Sequence, residues 1–148
     1  MRLVFGSDHG GVTLRRHLAE IARELGHDVV AELGATDESH SVDYPDIAVA
    51  VCNEVLAVSG SLGVLVCGTG QGMAMAANRV PGIRAAVLSD GFSAAMARAH
   101  NDANVLCLGG RVVGLGLGRT LLVTFLDATF EGGRHGRRVE MLDALERR

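Results

Sequence analysis

The sequence predicts an α/β protein, a Rossmann-like three-layer sandwich with a five-stranded parallel sheet. Short apolar runs alternate along the whole chain with segments in which apolar residues recur at helical spacing. Such an alternation requires right-handed crossovers and a mostly parallel sheet that helices cover on both faces. The apolar runs are nearly continuous, as strands buried on both faces are. The length of 148 residues and the hydrophobic fraction of 48% suit a single globular domain.

The first half of the chain predicts three strands and three helices. The first strand covers residues 3–5, and the helix that follows runs from Val12 to Leu25, where Gly26 is suited to end it. Residues 29–33 form the second strand, and residues 35–44 are polar and predict a loop. Pro45 suits the first turn of a helix that reaches about residue 58. The third strand covers residues 62–66, and a helix follows over 71–79.

The second half continues the same alternation. Strands are expected over residues 84–88 and 104–108, each followed by a helix, over 92–100 and 115–130 respectively. A last helix covers roughly residues 137–145. No internal repeat, linker or low-complexity segment interrupts the pattern, so residues 1–148 are expected to form one domain.

Composition excludes several classes of function. The net charge is −3 and aromatic residues make up 3%, which disfavours a nucleic-acid partner. The three cysteines form no CxxC pair, so a disulfide framework or a structural zinc site is not expected, and a reducing cytoplasm fits best. The N-terminus is too short and polar for a signal peptide, and no apolar run approaches the about 20 residues that span a bilayer.

Polar and glycine-rich segments follow several of the strands. They are Ser7-Asp8-His9, Cys67-Gly68-Thr69-Gly70, Ser89-Asp90 and Gly109-Gly110-Arg111. Open parallel sheets bind ligands at the carboxyl ends of their strands, near the topological switch point. We therefore expect these segments to converge on one pocket.

The segment CGTGQG, residues 67–72, carries the clearest chemistry. Its glycines let successive backbone N–H groups face one point, and the helix that follows adds partial positive charge, so the segment predicts an anion hole. The same field favours the thiolate form of Cys67, and a base beside such a hole suits proton abstraction next to a carbonyl. The alternative is a buried, inert cysteine beside a tight turn, which is the interpretation we favour for Cys52 and Cys107.

Three other segments are candidates for binding or catalysis. Asp8 and His9 can contact sugar hydroxyls or phosphate, or Asp8 can simply cap the next helix. His100, in HNDAN, can act as a general acid and base, although a histidine in a loop is usually only solvated. Arg134 and Arg138 are four apart and can clasp one phosphate, although a short basic run is more often a solvated face. No segment has metal-ligand spacing, which favours metal-free proton transfer over a metal-dependent hydride shift.

Taken together, the motifs resemble the ribose-5-phosphate isomerase B family, which also holds galactose-6-phosphate isomerase. They are GSDHGG at the start, DYPD at 43–46, CGTGQG at 67–72, AAN at 76–78, GIRA at 82–85, HNDANVL at 100–106, GGRVVG at 109–114 and EGGRHGRRVE at 131–140. The resemblance implies a Rossmann-like fold and cofactor-free interconversion of aldose and ketose phosphates through a cis-enediolate. It also implies a homodimer or homotetramer whose site is shared between subunits, with the C-terminal helix on a partner.

The resemblance also implies residue roles. Cys67 is the base between C1 and C2, where some relatives use a glutamate from the following helix, but Gln71 to Met75 offer no carboxylate. His100 opens the furanose ring. The further roles are sugar-oxygen ligands (Asp8, Asn101), the anion hole (Thr69 with the backbone of Gly68, Gly70 and Gly72), phosphate ligands (His9, Arg111, Arg134, Arg138) and the sugar-pocket lining (Asp43, Tyr44). His100 and Arg111 are the residues that a shared site can draw from a neighbouring subunit.

Other functions stay open on sequence alone. GTGQG followed by Asp90 loosely resembles a dinucleotide fingerprint, but its third glycine is misplaced. A phospho-receiver-like domain would need an aspartate where Cys67 stands. A module that binds a sugar phosphate without turnover is harder to exclude from the sequence. Ribose 5-phosphate leads among substrates, with galactose 6-phosphate or a tetrose phosphate as alternatives, and the loop at 36–41 is expected to influence the choice.

Overall fold

The computed structural model describes residues 1–145, which form one sheet flanked by helices. The strands are β1 Arg2–Ser7, β2 Asp28–Gly34, β3 Leu62–Cys67, β4 Ala85–Val87 and β5 Val105–Gly109. The helices are α1 Val12–Glu24, α2 Tyr44–Ala57, α3 Gln71–Ala77, α4 Gly91–Ala99, α5 Leu115–Asp127 and α6 Gly133–Leu145. A 3-10 turn, His9–Gly11, joins β1 to α1. The α/β class and the five strands agree with the prediction.

The sheet is parallel throughout, in the order β2-β1-β3-β5-β4. The chain moves from β1 to β2 on one side and then returns to place β3 on the other side of β1. The carboxyl ends of β1 and β3 therefore flank the topological switch point, where open α/β sheets form their ligand crevice. Strands β3 and β5 are buried along their whole length, whereas the edge strands β2 and β4 are partly exposed.

Helices cover both faces of the sheet, as predicted. One hydrophobic cluster packs α1, α4 and α5 on the first face, and a second packs α2 and α3 on the other. The fully buried side chains include Phe5 and Leu18 in the first cluster and Met73 in the second. Because burying one such side chain contributes about 1.5–3 kcal/mol, these two clusters hold the helices against the sheet.

Local signals in the sequence explain several helix ends. Gly26 has a φ of +81°, its N–H donates to the Arg23 carbonyl, and the His27 N–H donates to the Ala22 carbonyl, which closes α1 in a Schellman motif. Pro45 lies in the first turn of α2 as expected. Asp90 caps α4 by accepting a hydrogen bond from the Ser93 N–H at 2.8 Å, and that bond lowers the pKa of Asp90.

A buried guanidinium ties the carboxyl ends of β1 and β2 together. Arg15 of α1 is 5% exposed and donates to the Ser7 hydroxyl and to the carbonyls of Leu33 and Ala35 at 3.0–3.1 Å. Burial lowers the pKa of Arg15, and Glu32, with an oxygen 3.6 Å away, acts in the opposite direction. Helix α1 therefore fixes the strand ends that border the switch point.

The helix boundaries differ from the prediction most at the end of α5 and the start of α6. Helix α5 ends at Asp127 rather than at residue 130, because Ala128 is extended and the Glu131 N–H donates to the Ala99 carbonyl. Helix α6 begins at Gly133 rather than at residue 137, because the His135 N–H already donates to the Gly132 carbonyl. Among residues 1–145, no helix has both the length and the apolar character needed to cross a membrane.

Candidate active site

The carboxyl ends of β1, β3 and β5 meet around Cys67. The Asp8 N–H donates to the Val66 carbonyl at 3.2 Å, which holds the first segment against β3. Cys67 pairs with Gly109 in the sheet, and the Gly110 N–H donates to the Cys67 carbonyl at 2.8 Å. Three of the four segments predicted to converge meet here because their strands are parallel and adjacent. The fourth, Ser89-Asp90, follows the edge strand β4, and Asp90 caps α4.

Cys67 is buried but not isolated. Its residue is 5% exposed, and its sulfur accepts a hydrogen bond from the Gly70 N–H at 3.1 Å. A donor on the sulfur stabilises negative charge there. Among the other two cysteines, burial raises the pKa of Cys52 to about 12 and also raises the pKa of Cys107. All three cysteines are free thiols, and only Cys67 lies in the glycine-rich segment.

The segment after Cys67 presents backbone donors. Among residues 1–145, no acceptor bonds the N–H groups of Gly68 and Thr69, while the Gln71 N–H donates to the Thr69 hydroxyl at 3.4 Å. Gly70 has a φ of +81°, a conformation that glycine adopts without strain. Two adjacent free amides next to a thiol form the kind of site that can hold a developing oxyanion.

Asp8, His9 and Arg111 border these amides. Asp8 both caps and faces the site: one oxygen accepts from the Gly10 N–H at 2.9 Å, and the residue is 8% exposed. Nδ1 of His9 is buried and has no hydrogen-bond partner among the described residues. A methyl group placed on Gly68 would lie 3.6 Å from Nη1 of Arg111, so that guanidinium lies beside Gly68 of its own chain.

Tyr44 and Asp43 lie on the far side of the same segment. A methyl group placed on Gly72 would approach the Tyr44 ring to 2.8 Å, so the ring packs directly on that glycine. Asp43 stands at the N-cap of α2, but its side chain makes no capping hydrogen bond and it is exposed. Its carboxylate is therefore available to a ligand. We define the Cys67 cluster by the residues at this edge that carry candidate functional groups. They are Asp8, His9, Asp43, Tyr44, Cys67, Arg111 and the backbone from Gly68 to Gly72.

The loop over residues 36–41 follows β2 at the same edge of the sheet. Asp37 accepts hydrogen bonds from the backbone N–H groups of Ser39 and His40, and the Ser39 hydroxyl and backbone lower the pKa of Asp37. The Thr13 hydroxyl donates to Glu38 at 2.6 Å, which ties the loop to α1.

His100 and Asn101 lie at the opposite edge of the sheet. His100 caps the carboxyl end of α4, and the chain then enters β5 at Val105. Cys67 pairs with Gly109, four residues further along β5, so the strand alone separates the two edges by about 13 Å at about 3.3 Å per residue. Within one chain the structure does not bring His100 to Cys67.

The two predicted phosphate arginines of α6 accompany His100. Arg134 and Arg138 are both exposed on α6, and neither forms an ion pair with a carboxylate among residues 1–145. The ring of His100 stacks on the ring of His135, with centroids 4.0 Å apart and planes 5° from parallel. One oxygen of Glu131 lies 3.7 Å from Nε2 of each ring. The His100 cluster is the group formed by His100, Asn101, Glu131, Arg134, His135 and Arg138.

Sequence reasoning missed Glu131 and His135. His135 is 7% exposed, and its burial, with the positive charge of His100 and Arg134, lowers its pKa. The spacing of four residues between Glu131 and His135 was visible in EGGRH. Its importance was not, because the contact with His100 depends on where α4 and α6 meet.

The fold and the Cys67 cluster define a class: an α/β protein with a thiol, free amides and a guanidinium at a topological switch point, suited to a small anionic substrate. The family model described as Ribose/Galactose Isomerase matches residues 3–142. The chain belongs to this family, and it is an isomerase, as the motifs predicted.

Individual relatives cover the full chain. Ribose-5-phosphate isomerase B of Escherichia coli is 42% identical over 147 residues, which are 99% of this chain and 97% of that protein. The structure of Clostridium thermocellum ribose-5-phosphate isomerase B superposes with a TM-score of 0.95 at 45% identity, covering 99% of this chain and 98% of the other. The structure of ribose-5-phosphate isomerase B from Mycoplasma genitalium, solved with bound ribulose-5-phosphate, superposes with a TM-score of 0.93 at 40% identity. The match covers 99% of this chain and 96% of the other.

Proposed function

We propose that this protein interconverts ribose 5-phosphate and ribulose 5-phosphate by metal-free proton transfer through a cis-enediolate. The observation that carries the proposal is the Cys67 cluster, where a thiol at the end of β3 lies beside the N–H groups of Gly68 and Thr69, which have no acceptor within the described part of the chain. A base next to an oxyanion hole is the arrangement that proton transfer beside a carbonyl requires. The similar proteins of E. coli and C. thermocellum carry the name of this activity.

The proton transfer balances with Cys67 alone as the base. The thiolate takes the proton from C2 of the open-chain aldose, a C1–C2 double bond forms, and the negative charge moves to O1. The amides of Gly68 and Thr69 stabilise that oxygen. Return of the proton from sulfur to C1, with transfer of the O2 proton to O1, gives the ketose and regenerates the thiolate.

We infer that the complete site is assembled from two copies of the chain. His100, which would open the furanose ring, lies at the far edge of the sheet from Cys67. The His100 cluster of one copy would meet the Cys67 cluster of the other, and the site would then hold Asn101 and Asp8 for the sugar oxygens. Helix α6 supports this assembly, because Met141, Leu142 and Leu145 are 48–60% exposed on it and would be covered by a partner.

The same assembly would surround the phosphate with cations from both copies. His9 and Arg111 belong to the Cys67 cluster, and Arg134 and Arg138 of α6 have no carboxylate partner within the described chain. Guanidinium groups bind phosphate through paired, charge-assisted hydrogen bonds. Binding the phosphate at a distance from C1 and C2 would hold the reacting carbons against Cys67.

Galactose 6-phosphate is the second candidate substrate, because the matching family is described as Ribose/Galactose Isomerase. Asp43, Tyr44 and the loop over 36–41 border the sugar pocket in this proposal and would set the chain length that it accepts. We also infer a cytoplasmic location, which three free cysteines favour.

The test is a panel of aldose phosphates with four, five and six carbons, assayed for ketose formation at equal enzyme concentration. We expect the highest kcat/KM with ribose 5-phosphate. A higher kcat/KM with galactose 6-phosphate would replace the substrate and keep the reaction class. Turnover of none of the sugars would contradict the proposed function, and size-exclusion chromatography with light scattering would check separately for a dimer or tetramer.

A further inference from the structure

One carboxylate, to which no role has yet been given, lies near both rings of the stacked pair His100–His135. Glu131 places one oxygen 3.7 Å from Nε2 of both rings, and the rings lie face to face at 4.0 Å. We propose that Glu131 and His135 are positioning residues that fix the ring of His100 for sugar-ring opening. The inference rests on the proposed function of His100. It adds two residues that position the His100 ring and do not themselves react.

The backbone around Glu131 is built to make this contact. The Glu131 N–H donates to the carbonyl of Ala99, the residue before His100, at 2.9 Å. Gly132 and Gly133 follow with φ values of +66° and +54°, which residues other than glycine rarely adopt. This turn starts α6 at once and carries His135 back over the His100 ring. The backbone of Glu131 is therefore bonded to the end of α4, and the ring of His135 is stacked on the ring of His100.

The charges within the cluster assign different tasks to the two rings. Two positively charged imidazoles stacked at 4.0 Å would repel each other, and Arg134 and Arg138 add further positive charge from α6. Burial is the first cause that lowers the pKa of His135, followed by His100 and Arg134, while Glu131 opposes them. His135 is thus the ring kept neutral, and it serves as a flat surface against which His100 is held.

A metal ion explains the geometry less well than a carboxylate anchor does. The ligating atoms of His100, Glu131 and His135 lie within 4.8 Å of one another. In a tetrahedral zinc site, however, both ring nitrogens point at an ion about 2.0–2.1 Å away. Rings stacked within 5° of parallel hold their nitrogen lone pairs in two separate, nearly parallel planes, so the lone pairs do not converge on one point.

The experiment compares the two directions of the reaction. Ribose 5-phosphate must be opened from its furanose form, whereas ribulose 5-phosphate lacks a free hydroxyl that could close such a ring and is already open. In the reverse direction the aldose product can leave as the open-chain aldehyde and close in solution, so that direction does not require ring closure by His100. A residue that acts only through His100 should therefore slow the aldose-to-ketose direction more than the reverse. The test variant is Glu131→Gln. The matched control is Glu140→Gln, which makes the same charge change on α6, away from the stacked rings.

We expect Glu131→Gln to lower kcat for ribose 5-phosphate by about 10- to 100-fold, since misplacement by 1 Å can cost about 100-fold. Turnover of ribulose 5-phosphate should stay within about twofold of the wild type, because release of the open-chain aldose completes that turnover without ring closure by His100. Glu140→Gln should match the wild type in both directions. His135→Phe, which keeps a flat ring in the stack, should retain more of the forward rate than His135→Ala.

The outcomes separate this inference from the proposed function. A wild-type enzyme that converts neither sugar would overturn the function itself. If the wild type converts both sugars and Glu131→Gln slows neither direction, or slows both equally, the positioning role is contradicted while the function stands. Circular dichroism and thermal unfolding of each variant establish that the compared proteins are folded.

Discussion

The Cys67 cluster and the His100 cluster are built in opposite ways. The first is made by the sheet: buried strands end together, and two backbone amides beside a buried sulfur have no partner among residues 1–145. The second is made by side chains at helix ends, where exposed arginines lie near a stacked pair of rings. The first cluster presents backbone donors and a thiol, and the second presents arginines and two imidazole rings.

This difference is the basis of the proposal that two copies of the chain share one site. The donors that hold a developing oxyanion must be fixed in place, which strand ends achieve, and α6 carries the cations away from them to the other edge of the sheet. In the proposed assembly, joining two copies would bring both kinds of group together without any loop having to span the about 13 Å that separates the edges.

Cys67→Ala should cause the largest loss. Removing the proposed base should lower kcat by about 10²- to 10⁴-fold, the range that a positioned general base contributes. The control is Cys52→Ala, because burial keeps the pKa of Cys52 at about 12 and that thiol stays neutral. Steady-state assays with ribose 5-phosphate would measure both variants. Wild-type turnover in Cys67→Ala would remove the sulfur from the mechanism.

Pairing two inactive variants should restore activity if the site is shared. A heterodimer of Cys67→Ala with His100→Ala contains one intact site and one doubly defective site, so it should recover about half of the wild-type rate. Two affinity tags on co-expressed chains allow the heterodimer to be isolated and assayed. A heterodimer as inactive as its two parents would show that Cys67 and His100 do not serve the same site across the interface.

The sequence was enough for the Cys67 cluster because its geometry follows from local rules. A strand ending in Cys67 and a run of glycines already imply converging amides, and parallel register places Asp8 and Arg111 beside them. The His100 cluster was only partly predictable. Its arginines could be placed on one helix face, but the start of α6 depends on positive φ values at Gly132 and Gly133, which glycine can adopt equally in a loop.

The stack of His100 on His135 could not be predicted in the same way. It is a contact between α4 and α6 that no periodic pattern encodes, and its partner Glu131 resembles any exposed acid in the sequence. The loop over 36–41 was equally hidden, because its turn depends on several hydrogen bonds to the single carboxylate of Asp37.

Substituting one glycine near each cluster should change stability in opposite directions. A methyl group on Gly11 would lie 2.4 Å from the Val66 carbonyl oxygen, so Gly11→Ala should lower the free energy of unfolding by about 1–3 kcal/mol. Nothing lies within 4 Å of the methyl position at Gly136 in α6, so Gly136→Ala should raise it by about 0.5–1 kcal/mol. Urea denaturation of both variants measures the difference, and equal shifts would contradict the contrast in packing.

The smallest effect concerns acid stability of the His100 cluster. Burial, His100, Arg134 and Arg138 lower the pKa of His135 from its usual 6.5, while Glu131 opposes them. As the pH falls below 6.5, the unfolded chain binds a proton that the folded chain does not yet accept, so the free energy of unfolding decreases until the pH reaches the lowered pKa. His135→Asn should therefore show a shallower decrease across that window than the wild type.

Two further variants sharpen this pH measurement. Glu131→Gln removes the one charge that raises the pKa of His135, so its decrease in stability should extend to lower pH than that of the wild type. His17→Asn, on α1 and outside both clusters, is the matched histidine control for His135→Asn. Urea denaturation at intervals between pH 4 and pH 8, roughly the range over which histidines titrate, gives the curves. Parallel curves for His135→Asn and the wild type would mean that the stacked ring titrates alike in the folded and unfolded chains, and that its burial has no electrostatic consequence.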